Sequence, residues 1–231
     1  MKIEILERAV LQYPNHAFPW HVHPRHHTLS RVISGAALLE TPGQCDTVVA
    51  GDMVFIPAGL SHRTLVQNDF SYELIRFRLA QNEQSYSYLC TATTDTEWSS
   101  FFADQCLNHG ALAEQFQTDG TPRPLPDPAI QRCLNYLQSH YTERLQVEDL
   151  GRVALRSVSH LLRTFKQQVG ISPSRYLLGL KIDKAKAMMQ QGTSLADVAF
   201  ETGFYDQSHF HRYFRLYTGL TPRQYQYKLR E

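Results

Sequence analysis

A chain of 231 residues has room for one or two domains. Its make-up, 42% hydrophobic and 19% charged with a formal net charge of +1, is that of an ordinary soluble globular protein. The apolar runs fall well short of the roughly 20 residues that a membrane span needs, and the start, with acids at Glu4 and Glu7, lacks the layout of a signal peptide. Cys45, Cys90, Cys106 and Cys133 are scattered without C-x-x-C spacing, which suits free thiols in a reducing cytoplasm. The near-zero charge hides an asymmetry. Residues 129–231 carry 15 Lys and Arg against 8 Asp and Glu, whereas residues 1–128 carry 8 against 14. A basic C-terminal half suits contacts to phosphates; an acidic N-terminal half does not.

Taken in order, the first 80 residues alternate and turn like strands. Ala17–Trp20, Leu29–Ile33, Ala37–Glu40, Asp52–Ile56, Thr64–Gln67 and Tyr72–Leu79 are the expected strands. Ser34-Gly35, Thr41-Pro42-Gly43, Ala50-Gly51-Asp52 and Pro57-Ala58-Gly59 supply the turn signals between them. Many short strands imply a small barrel or sandwich. A polar stretch follows. Trp98, Phe101, Phe102, Cys106 and Leu107, then Leu112, Ala113 and Phe116, suggest helices over about 97–118. Four prolines between Thr121 and Pro128 mark a semi-rigid linker.

Beyond Pro128 the periodicity is helical. Ile130, Leu134 and Leu137 share a face in a first helix. Val147–Ala154 and Ser157–Val169 form a helix pair, with Ser157 as cap and Gly170 as stop. Ser172-Pro173 opens a long helix whose Tyr176, Leu177, Leu180, Ala185, Met188 and Met189 point inward, up to Gly192. Ser194 and Asp197 then form a capping-box-like start for a helix carrying Leu195, Val198 and Ala199 on one face. Gly203 breaks it, and Asp206 caps another helix with Phe210, Tyr213, Phe214 and Tyr217 as its apolar stripe. The opposite side bears Gln207, Ser208, His209, His211, Arg212 and Arg215, which can donate to phosphates and base edges and include no acid. This is helix-turn-helix logic, in which the second helix enters the major groove.

The run Leu195, Asp197, Val198, Ala199, Gly203, Phe204, Ser208, Phe210, Arg212, Phe214, Gly219, Thr221, Pro222 and Tyr225 resembles the second helix-turn-helix of AraC/XylS-family regulators. The likeness covers about the last 100 residues and implies two helix-turn-helix units joined by the long helix. The first unit departs from the family pattern at Gly151, Leu155 and Arg156. Upstream, His21, His23, Thr28 and Gly35 are similar to a first cupin motif, and Gly51, Pro57, Gly59 and His62 to a second. The implied architecture is α+β and multidomain. It has a cupin/jelly-roll-like β-barrel for sensing and dimerisation over 1–120 (barrel about 1–80), the linker at 121–128, and an all-α DNA-binding domain over 129–231.

The resemblance implies that Ser159, Leu162 and Arg163 face bases in the first unit. Gln207, Ser208, His211 and Arg212 are the corresponding candidates in the second, with Arg163 and Arg212 able to grip guanine. Lys166, Arg215, Arg223 and Arg156 suit phosphates. The barrel would bind a small effector, a sugar, amino acid or carboxylate, through Trp20, His21, His23, Arg31, His62 and Arg76. Expected partners are double-stranded DNA, RNA polymerase and a second copy of the chain, with no membrane, no catalytic residue and no cofactor. The reading is therefore a cytoplasmic, ligand-responsive activator and not an enzyme. The rival keeps a divalent metal on His21, His23 and His62, as a cupin metal enzyme or metal sensor; Thr28 stands where such cupins place a glutamate ligand.

Overall fold

The computed structural model describes residues 3–79, 89–92, 102 and 126–229. The chain divides into two compact units. One comprises residues 1–17 and 25–125, the other 18–24 and 126–231. The expected helices over 97–118, except Phe102, and the linker over 121–125 lie outside the described residues.

The first unit is a curled, cupin-like seven-stranded sheet. Its strands are β1 (Ile3–Tyr13), β2 (His16–Ala17), β3 (His27–Thr41), β4 (Gln44–Val49), β5 (Asp52–Ile56), β6 (Arg63–Leu79) and β7 (Leu89–Ala92). The order is β1-β6-β3-β5-β7, with β2 on β6 and β4 on β3, and every pairing is antiparallel. Pro42-Gly43 makes a two-residue hairpin loop between Thr41 and Gln44, with Gly43 at φ 92°.

Four differences from the expected strands have physical causes. Ser34-Gly35 is no turn: β3 runs through it, and register shifts around Ser34 absorb the positive φ of Gly35 as a bulge. β6 likewise joins two expected strands into one. The strand expected over 17–20 ends at Ala17. β1 interrupts its alternation with a register shift between Ile5 and Glu7, so period-two reading passes over it.

The second unit is helical: α1 (Pro128–His140), α2 (Val147–Ala154), α3 (Val158–Val169), α4 (Pro173–Gln190), α5 (Leu195–Glu201), α6 (Gln207–Thr218) and α7 (Pro222–Lys228). The expected caps are in place. Ser157, Ser172, Ser194, Asp206 and Thr221 each accept a backbone N–H of the helix they open, Asp127 does the same for α1 without having been expected to, and prolines occupy the first turns of α1, α4 and α7. Two hydrophobic cores result. Ile130, Leu137, Leu161 and Phe165 form one with Tyr176 and Leu180 of α4. Ile182, Met188 and Met189 of α4 form the other with Val198, Phe210 and Phe214. The long helix thus serves one core with its first half and the other with its second.

The segment 18–24 belongs to this unit, although the sequence places it among strands. Val22 is buried in the first core, with Trp20 packed beside it. The α4 backbone approaches so closely at Gly179 that a Cβ there would lie 2.8 Å from the Val22 carbonyl oxygen. Only glycine permits that approach.

Candidate nucleic-acid interface and sheet-unit polar cluster

Each helix-turn-helix presents a capped second helix. In α3, Leu161, Phe165 and Val169 are buried. The helical period then turns Ser159, Leu162, Arg163 and Lys166 to solvent, and all four are exposed. In α6, Phe210, Phe214, Tyr217 and Thr218 are buried. Gln207, Ser208, His211, Arg212 and Arg215 are all exposed. Neither helix has an acid in its first turn, although the Asp206 carboxylate already sits at the positive end of α6 as its cap. His209 does not join that face. It is half-buried, with its ring edge-on to Phe204 at 5.5 Å and Tyr213 at 4.7 Å. The Arg212 guanidinium lies over the Tyr213 ring, 4.8 Å from its centroid, which holds it at the helix surface.

The turns differ. Gly203, at φ 69°, would place a Cβ 2.6 Å from the Thr142 carbonyl oxygen. Lys181 donates to the Gly203 carbonyl at 2.6 Å. In the first unit Leu155 itself is left-handed, at φ 56°, with its side chain 84% exposed. Gly151 has a packing reason there, since a Cβ would stand 3.2 Å from the Arg156 carbonyl oxygen. Arg156, expected at a phosphate, is engaged within the unit. It pairs with Asp127, the cap of α1, at 2.9 Å, and meets His160 at 3.2 Å.

In the sheet unit, register separates the expected effector residues. Arg76 pairs across with Thr28 and Glu7, so its side chain shares a face with theirs. Arg31 pairs with Glu73 and projects from the other face, where it bonds that carboxylate at 2.7 Å and covers the Phe102 ring at 5.0 Å. One pocket therefore does not take both arginines. On the Arg76 face, Arg76 forms a buried ion pair with Glu7. Tyr13 stacks on Tyr72 at 6.1 Å, and burial pushes both phenols up while Arg76 pulls them back. The His62 Nδ1–H donates to the Leu60 carbonyl oxygen, 3.0 Å away. Burial, with Arg76 adding to it, lowers its pKa to about 4, so it is neutral near pH 7.

Trp20, His21 and His23 are grouped with the helical unit, and His62 with the sheet unit. His21 is buried, 2.7 Å from the Pro19 carbonyl and edge-on to Tyr217, and His23 stands 3.9 Å from Asp183. Since His62 belongs to the sheet unit, neither unit by itself holds the three-imidazole set.

Comparisons with known proteins match this arrangement. Residues 150–228 fit the model of a helix-turn-helix domain, and residues 10–72 that of a cupin domain. The C-terminal part is 40% identical over 86 residues to the uncharacterized HTH-type transcriptional regulator YbfI of Bacillus subtilis, covering 37% of this chain and 31% of that protein. It is 32% identical over 118 residues to the HTH-type transcriptional activator RhaS of Klebsiella pneumoniae, covering 51% of this chain and 40% of that one. The C-terminal part is thus similar to AraC/XylS-type helix-turn-helix regulators, and residues 10–72 to a cupin domain. The matches span less than half the length of these relatives. The fold of the whole chain resembles that of unsaturated fatty acid-bound ToxT from Vibrio cholerae, with a TM-score of 0.63 and 12% identity over 99% of this chain and 98% of that one. No helix among the described residues is long and apolar enough to cross a membrane.

Sequence reasoning missed Glu7, Tyr13 and Tyr72 as members of the Arg76 face. Their one local signal is the alternation of Leu11 and Tyr13, which the shift after Ile5 cuts short. The partner that makes Glu7 a buried residue is 69 positions away.

Proposed function

We propose that this chain is a sequence-specific DNA-binding transcription regulator, acting as an activator in the cytoplasm, whose sheet unit senses a small organic effector. The observation that carries the reading is the pair of capped helices, α3 and α6, each with a buried apolar stripe and an exposed, acid-free polar face. Arg163 and Arg212 would read guanine edges, Gln207 adenine, and Lys166 and Arg215 phosphates. The helices differ in sequence, so one copy would read an asymmetric site, and two copies would bind such sites as repeats. The name of the RhaS relative as an activator supports the assignment of role, with RNA polymerase as the expected protein partner.

The effector would meet the face of Glu7, Tyr13, His62, Tyr72 and Arg76. Cation, imidazole and phenols together suit a polar or anionic molecule. The fatty acid in ToxT supports an organic acid as one class. The effector can shift DNA affinity only through a difference in its own affinity for two states of the protein. A metabolite screen by thermal shift on the full chain, followed by DNA binding with and without each hit, tests this. A stabilising compound at about 100 times its Kd raises stability by about 2.7 kcal/mol, and its effect on DNA affinity should disappear when Tyr13 and Tyr72 are changed to Phe. A compound that alters DNA binding equally in that variant contradicts the assignment of the face.

A further inference from the structure

A cavity of about 520 Å³ opens in the helical unit between α4 and α6, and the described residues that line it all belong to that unit. Its size falls in the range of small-molecule sites. It lies off both faces already described. On α6 its wall is His209, Tyr213 and Tyr217 with Leu216, one face round from the exposed Gln207, His211 and Arg212. On α4 its wall is Arg175 and Lys181 with two leucines between them, and Phe204 closes it from the turn.

The chemistry of this wall is one-sided. It holds two cations and no acidic side chain. Lys181 spends one donor on the Gly203 carbonyl, and its ammonium lies 5.8 Å from the Phe204 centroid. An ammonium has three donors, so others remain for a guest. Burial lowers the pKa of Lys181, the expected strain of a half-buried cation that no carboxylate of the described cavity wall neutralises. Arg175 is near enough to Tyr217 to act on its phenol, whose pKa burial nonetheless raises to about 12. The Nδ1 atom of His209 is buried without a hydrogen-bond partner among the described residues, a condition that costs free energy unless something satisfies it. The remaining wall is aromatic and aliphatic.

We propose that this cavity is a binding site for an amphipathic monocarboxylic acid, with its carboxylate held by Lys181 and Arg175 and its aryl or alkyl body against Phe204, Tyr213 and Leu216. Such a guest would touch the DNA-facing helix from behind. Its binding stands apart from the sheet-unit effector and does not require the DNA-binding reading.

The test is calorimetric titration of the full chain, without DNA, using 4-phenylbutyrate and its neutral amide as probes. The acid should bind and the amide should bind about tenfold more weakly or worse, the size expected for one charge-assisted contact. Lys181→Met should weaken the acid by about tenfold or more. Because Lys181 also braces the turn, Arg175→Gln at an exposed position provides a second reading, with a loss of about threefold or more. Equal affinity for acid and amide overturns the proposal. So does an acid that fails to bind, or one whose binding survives both substitutions and therefore lies elsewhere.

Discussion

The two helix-turn-helix units solve the same turn with opposite means. In the second, a glycine takes the left-handed backbone and leaves room for the Thr142 carbonyl, 2.6 Å from where its Cβ would be. In the first, a leucine takes the left-handed backbone and stays in water. The second turn is locked by the rest of the helical unit, through Thr142 and Lys181. The first is fixed at its edge by the Arg156–Asp127 pair, at some conformational cost to Leu155. A turn of one shape can therefore be a tertiary requirement in one place and a local strain in another.

The largest break in this comparison should come from Gly203→Ala. The new Cβ meets a backbone carbonyl and a positive φ together, so the expected loss is about 2–4 kcal/mol in urea unfolding. Leu155→Gly should act in the opposite direction. Relief of the left-handed strain outweighs the entropy of glycine, and a gain of about 0.5–1 kcal/mol is expected in the same assay. A loss at Leu155→Gly would show that the entropy of glycine outweighs the strain it relieves. The smallest effect is Arg156→Ala. Both side chains of its ion pair are more than a quarter exposed, so the loss should stay below about 1 kcal/mol and shrink further in high salt. A larger loss would make the pair with Asp127 the lock of the first turn.

The same contrast explains what could be read from the sequence. Local chemistry was legible. Ser157, Ser172, Ser194, Asp206 and Thr221 cap where expected, because a cap depends on atoms within three residues. The exposed faces of α3 and α6 follow from the buried stripes by helical period alone. Long-range pairing was not legible. Gly35 looks like a turn but is a bulge inside β3, since only β5 and β6 alongside can hold that strand straight. Arg31 and Arg76 look alike as barrel cations, yet register puts them on opposite faces of the sheet. Trp20 reads as a strand residue and His21 and His23 as part of a barrel motif, and only the close passage at Gly179 reveals that their segment belongs to the helices. Gly151, which looks costly in a helix, avoids a tight 3.2 Å approach of a Cβ to the Arg156 carbonyl oxygen.

The central claim is that both units read DNA, each through one arginine. The most direct measurement is selection of bound sequences from a random duplex library by the intact protein, by Arg163→Ala and by Arg212→Ala. The intact protein should select two unlike half-sites about one helical turn apart. Each variant should relax one half-site only, by about 1–3 kcal/mol of discrimination at a single base pair. Unchanged preferences in both variants, or the loss of the same half-site in both, would contradict the account.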